Sequence, residues 1–164
     1  MLAHSGQVER LDKISDRASR APAVTRELLC DLISAACERL PALDKSGKAA
    51  AVKALIQSGA WTDAALALIE LELPQWKVRR LVHEDGNWLC SLSQQPNLPP
   101  ELDDTVDASH EQLSLAMLSA LIEARRRVAS TPEPAPSVPQ VRSACAVVPY
   151  PGNAFCVVCC DSFS

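Results

Sequence analysis

The chain has few aromatic residues, glycines or histidines and no long apolar run, and each shortage excludes a chemistry. Aromatics make up 4% of residues, so a packed interior has to be assembled from Leu, Ala, Val and Ile. Five scattered glycines cannot supply a GxGxxG dinucleotide loop. "DKSGKAAA" has Ala42 and Ala49 where a phosphate loop needs Gly and Ser/Thr. Three histidines are present, His4, His83 and His110. "HEQLS" starts like a zinc-protease helix, but Ser114 stands where the second imidazole is required. No GxSxG nucleophile elbow occurs. The longest apolar run before the C-terminal segment, "AALALI" at 64–69, ends at Glu70, far short of the roughly 20 residues that span a bilayer.

The composition otherwise suits a packed soluble domain. The chain has 164 residues, 48% apolar and 22% charged, enough for one hydrophobic core and a tail. Net charge is −4, unevenly spread: residues 1–60 hold nine Lys/Arg against seven Asp/Glu, and residues 61–130 hold six against eleven. An acidic chain without a basic stripe is not expected to bind nucleic acid. "MLAHSGQVERLDK" carries no apolar signal region, and a membrane association is not expected. A cytoplasmic setting follows, with reduced thiols. Cys30, Cys37 and Cys90 fall in apolar patterns, where a free thiol packs as a small hydrophobe.

Helical periodicity organises most of the chain. Val8, Leu11 and Ile14 predict a short, weakly docked helix in an N-terminal segment, 1–22. Thr25 is a candidate N-cap, with Glu27 favourably near the positive helix end. The stripe Leu28, Leu29, Leu32, Ile33, Ala36, Cys37, Leu40 then predicts a helix over 25–40, closed by Pro41. A helix over 46–58 should end at Gly59. Another, over 62–73, is capped by Thr62 and stopped by Pro74, with Trp61 covering the junction between the two. After "QQPNLPPELDD", read as an extended connector, a last helix over 109–128 carries Leu113, Ala116, Met117, Ala120, Leu121 and Ala124.

Residues 76–93 alternate around Asp85-Gly86 and predict an inserted β-hairpin. A two-residue Asp85-Gly86 loop sets His83 opposite Trp88. A three-residue loop from Glu84 to Gly86 sets Val82 opposite Trp88 and Val78 opposite Leu92. The second collects Trp76, Val78, Val82, Trp88, Cys90 and Leu92 on one face, and the hydrophobic pattern favours it. It also separates His83 from Cys90 and so disfavours a thiolate–imidazole pair.

Residues 131–164 form a Pro-rich, Cys-containing tail. Cys145, Cys156, Cys159 and Cys160 match a structural zinc in number, but Cys159 and Cys160 are adjacent and no second spaced pair exists. The C-terminal "CCDSFS" misses a prenylation box, because Asp161 is fourth from the end.

The sequence therefore predicts a mainly α protein. Its core, 23–130, has about four to five helices with one inserted hairpin at about 76–93, followed by the tail. No cofactor or catalytic constellation is expected. The leading functional expectation is an interaction or regulatory module that meets another protein or a second copy. A thiol-based redox or metal-binding role for Cys145, Cys156, Cys159 and Cys160 is the alternative. The candidate binding surface is the hairpin's outer face, with Lys77, Arg79, Leu81, Leu89, Ser91 and Ser93 alternating outward. Its arginine suits an acidic partner or the "ELDDTVD" segment of another copy.

Overall fold

The Thr25 hydroxyl accepts the Leu28 backbone N–H at 3.2 Å, satisfying one of the donors a helix start leaves free. The helix it opens is the second of six in the computed structural model, which describes residues 2–43, 47–99 and 101–130. The helices are α1 (Leu2–Arg20), α2 (Arg26–Ala36), α3 (Arg39–Ala42), α4 (Gly47–Ser58), α5 (Trp61–Glu72) and α6 (Leu113–Ser130). Strands β1 (Lys77–Glu84), β2 (Asn87–Ser93) and β3 (Thr105–His110) form one antiparallel sheet in that order. The mainly helical expectation holds. The sheet is a strand larger than the expected hairpin: β3 occupies the residues just after the expected connector together with Ser109 and His110, which were expected in the last helix, and that helix starts at Leu113 instead of 109.

Local chemistry explains where the helices stop. Gly59 adopts φ +75° after α4, the left-handed conformation that glycine reaches without a Cβ penalty. Leu73 caps α5, donating its N–H to Ile69 at 2.9 Å, and Pro74 follows. Two boundaries depart from expectation. The helix expected over 25–40 breaks at Cys37, whose backbone is extended, and the chain restarts as the single turn α3. Pro41 lies inside that turn, tolerated because first-turn N–H groups lack intrahelical partners in any case. In α5 the helix starts at Trp61 after Ala60, so Thr62 is within the helix rather than its cap.

The N-terminal helix is larger and better docked than expected. α1 buries Leu11, Ile14 and Ala18 and packs on α6 and α2, so it belongs to the same core as residues 23–130. α6 is the axis of that core. Ser114 through Leu118, Ala120 through Ile122, and Ala124 are buried. A helix apolar on nearly all sides has to be surrounded, and α6 meets β3 and β2 on one side and α1, α5 and α2 on others. Truncating a fully buried leucine there, such as Leu118 or Leu121, removes contacts typically worth about 2–5 kcal/mol.

Both anticipated hairpin registers occur, at opposite ends. Asp85 (φ 51°) and Gly86 (φ 82°) form a two-residue turn with positive φ at both central positions, the type I′ geometry that matches strand twist. His83 therefore pairs with Trp88, Val82 with Leu89 and Leu81 with Cys90. The pairing shifts at Arg79, and beyond this bulge Val78 pairs with Leu92 as the hydrophobic pattern demands. Near the turn the expected face is thus corrected. Leu81 and His83 share the Cys90 and Trp88 side, while Val82 joins Leu89 on the other. β3 adds Val106 opposite Leu92 and Ala108 opposite Cys90, and α6 covers this side. Trp88 is half-buried, with the His83 ring tilted against it at 4.8 Å.

No helix among the described residues is long and apolar enough to cross a membrane.

Candidate functional site

α5 ends on a carboxylate in an apolar stripe, Ala65, Leu68, Ile69, Glu72, and Glu72 is only 3% exposed. A buried charge requires partners. Glu72 finds them in the first turn of α3, where it accepts the backbone N–H groups of Glu38 (3.0 Å), Arg39 (3.0 Å) and Leu40 (2.6 Å). It thereby caps a helix distant in sequence. Glu38, at the N-cap position, makes no side-chain cap bond of its own. Its carboxylate reaches Arg125 of α6 instead, Oε2 to Nη2 at 3.0 Å, and accepts the Gln7 amide at 2.6 Å. The Arg125 hydrogen bond holds the Glu38 carboxyl below its ordinary range. The Arg125 side chain is 10% exposed, and its Nε is buried without a hydrogen-bond partner.

Two hollows flank Arg39. A cleft of about 230 Å³ lies between α3, the α5–β1 turn and the end of α6. Trp76, Leu73, Pro74 and Val128 give it apolar walls, and Arg39, Arg125 and Glu72 line it too. A groove of about 410 Å³ continues on the other side of Arg39 and Pro74, between α3, α4 and α5. Val52, Ala51, Ala67, Leu71 and the exposed Leu43 line it, with Lys48, Arg39 and Glu70 as its charged residues. Concave, mostly apolar hollows with a few converging polar groups are where ligands bind.

The hairpin residues singled out from sequence do not form one surface. Lys77 is exposed opposite Ser93, and Leu89 is half-buried on the outer face opposite Val82. Leu81 is 40% exposed but lies on the core side, at the edge strand. Ser91 and Ser93 are buried. Arg79 is engaged within its own chain: its guanidinium meets the Asp103 carboxylate and donates to the Leu98 carbonyl at 2.8 Å. Asp103 belongs to the "ELDDTVD" segment that charge alone offered as a partner from another copy. Ser93 also donates to Asp103, at 2.8 Å. That bond, with the Arg79 guanidinium, holds the Asp103 carboxyl below its ordinary range.

The two buried thiols, Cys37 and Cys90, are not poised for nucleophilic chemistry. Burial, with the Asp107 carboxylate, pushes Cys90 up to about 11. Burial and Glu72 push the Cys37 thiol further still. A thiol raised in this way stays protonated, whereas reactivity requires the thiolate. The observed register puts His83 and Cys90 on the same side, contrary to expectation, with Trp88 across from His83. Cys30 is exposed rather than packed in the core. Among the described residues no group of three or more His, Cys, Asp or Glu could hold a metal. Cys145, Cys156, Cys159 and Cys160 lie outside the described residues.

Sequence reasoning missed Glu72, Arg39, Arg125 and Lys48. The signal for Glu72 was present, a carboxylate at a core position of the "LIELE" helix. Arg125, in the "EARRR" run at the end of the last helix, has in sequence only the character of a cation placed favourably at a helix C-terminus. The chain matches no protein-family model, no curated protein and no solved structure.

Proposed function

We propose that this protein is a small interaction module that seats an amphipathic, acidic segment of a partner protein in the groove between α3, α4 and α5. The observation that carries this reading is the groove itself, an open apolar trough of about 410 Å³ with Lys48 and Arg39 along it against one carboxylate, Glu70. Leu43 is 40% exposed beside it. A segment presenting aliphatic side chains at helical spacing fills such a trough, and its acidic residues complement the cations. This surface replaces the hairpin's outer face, where Arg79 already has Asp103. The reading is non-enzymatic, and the use of the buried ionisable groups supports it. Glu72 caps α3, and Cys37 and Cys90 are held as thiols.

The test is a selection of binders from a displayed library of random peptides, with an Ala51→Glu/Ala67→Glu variant as the blocked control. Both positions line the groove outside the fully packed core or at its margin. The expected binders combine Leu or Ile with Asp or Glu, and lose about tenfold or more in affinity for the blocked variant, a change near 1.4 kcal/mol. Binders that hold both proteins equally well overturn the reading. Sedimentation of the free protein closes the other route. A parent dimer that the double substitution dissociates assigns the groove to a second copy instead.

A further inference from the structure

Arg125 is an arginine with half of its fork in use. In a guanidinium, Nε and Nη2 point the same way and form the side-on pair that grips both oxygens of a carboxylate. Glu38 uses one oxygen on Nη2 at 3.0 Å and gives the other to Gln7, while Nε is buried and has no partner. A buried donor left unpaired is unfavourable, more so on a charged group. The arginine lines a cleft whose other walls include Trp76, Leu73 and Val128. That cleft shares Arg39 and Pro74 with the groove, so the two hollows adjoin and a segment lying in the groove passes within a side chain's reach of it.

Resting on the groove reading above, we propose that Arg125 is the acid-recognising subsite of the same binding surface, and that Glu38 is an internal stand-in for the partner's carboxylate. An Asp or Glu side chain of the bound segment takes the side-on Nε and Nη2 pair. Glu38, whose side chain is 64% exposed, turns out into solvent. The exchange keeps the charge balance. Arg39 and Arg125 still face two carboxylates, Glu72 and the incoming one, since both Glu72 oxygens remain committed to the α3 backbone. It also gains the bond that Glu38 leaves unmade. The cleft's size, about 230 Å³, suits one side chain rather than a cofactor-sized ligand. Its apolar walls lower the local dielectric and so strengthen recognition of the charge.

Two synthetic peptides test this, acetyl-Leu-Glu-Leu-amide and its neutral counterpart acetyl-Leu-Gln-Leu-amide, titrated into the labelled full chain and followed by NMR. The Glu peptide is expected to shift the Trp76 indole N–H and to bind about tenfold tighter than the Gln peptide, as a charge-assisted bond in a partly buried site allows. Glu38→Gln removes the competing carboxylate and should tighten the Glu peptide by about threefold while leaving the Gln peptide unchanged. Arg125→Lys keeps the charge but loses the fork, and should abolish most of the discrimination. Shifts at Val52 and Ala67 with no preference for Glu, or a preference indifferent to Glu38→Gln, overturn the Arg125 subsite alone. No shift in either hollow overturns the groove reading and the subsite together.

Discussion

Two of the arginine–carboxylate clusters among the described residues look alike in composition and differ in completeness. Around Asp103 the bonds are closed. Arg79 divides its guanidinium between Asp103 and the Leu98 carbonyl, Ser93 donates to the same carboxylate, and the Ser93 hydroxyl accepts the Gln95 N–H at 3.0 Å. The Arg79 and Asp103 side chains are 19% and 1% exposed. Around Arg125 the bonds are uneven. Glu72 is saturated by three backbone donors, while Arg125, which lines a cleft, keeps a buried Nε without a hydrogen-bond partner. Closed polar clusters fix the path of the chain. An incomplete one next to a cavity leaves recognition energy for a ligand.

The largest expected effect probes the saturated half of the second cluster. Glu72→Ala leaves three N–H groups at the start of α3 without their acceptor, beside an arginine that loses a neighbouring charge. The expected loss, from a missing cap and stranded buried donors, is about 2–4 kcal/mol, read by denaturant unfolding. A loss below about 1 kcal/mol, the size of an average substitution, would mean that water replaces the carboxylate easily and that α3 is not anchored by it.

How much of this was legible beforehand follows from the physics of each signal. The 3.6-residue stripes of α2, α4, α5 and α6 were readable because apolar positions repeat over several turns, and Thr25 and Gly59 mark ends by local chemistry. Cys37 was misread because apolar periodicity runs through it. The break there depends on Glu72, 35 positions away by sequence number, capping α3. β3 was missed because its alternation rests on Val106 and Ala108 alone, among acidic and hydroxyl residues, and its last two residues were absorbed into the expected helix over 109–128. Its partner is β2, beyond an eleven-residue interval, 94–104, that carries no hairpin signal. The register was half right because turn chemistry and hydrophobic pattern disagreed by one residue, and the bulge at Arg79 satisfied both. The groove residues were invisible to periodicity, since a concavity is a property of three helices and not of one.

The closed cluster should respond to acid more than to salt. The folded Asp103 carboxyl titrates below its ordinary value, so its stabilising contribution is present above the unfolded pKa, about 3.9, and is lost as pH falls through the lower folded value. Asp103→Asn should therefore melt below the parent at neutral pH and converge towards it under acid. Thermal midpoints between about pH 3 and pH 7 measure this. Glu38 and Glu9, held low by the Arg125 and Lys13 hydrogen bonds, leave a residual slope in the variant. Parallel curves for parent and variant would show that Asp103 contributes nothing through its charge, and the contrast between the two clusters would narrow.

The smallest expected change in stability is the most informative about function. Arg125→Met replaces a largely buried guanidinium by an apolar side chain of similar reach against Trp76, Leu73 and Val128. Burying a charge costs desolvation that one hydrogen bond to the exposed Glu38 hardly offsets. The unpaired Nε adds to that cost. The variant is therefore expected to unfold within about 1 kcal/mol of the parent, or above it, while Glu38 returns to solvent and its carboxyl rises towards the ordinary range. NMR titration of Glu38 follows that rise directly. A residue that can be removed without loss of stability, from a place where apolar packing would serve the fold as well, is one whose charge has another use. A loss comparable with that of Glu72→Ala would instead place Arg125 among the structural anchors, alongside Arg79.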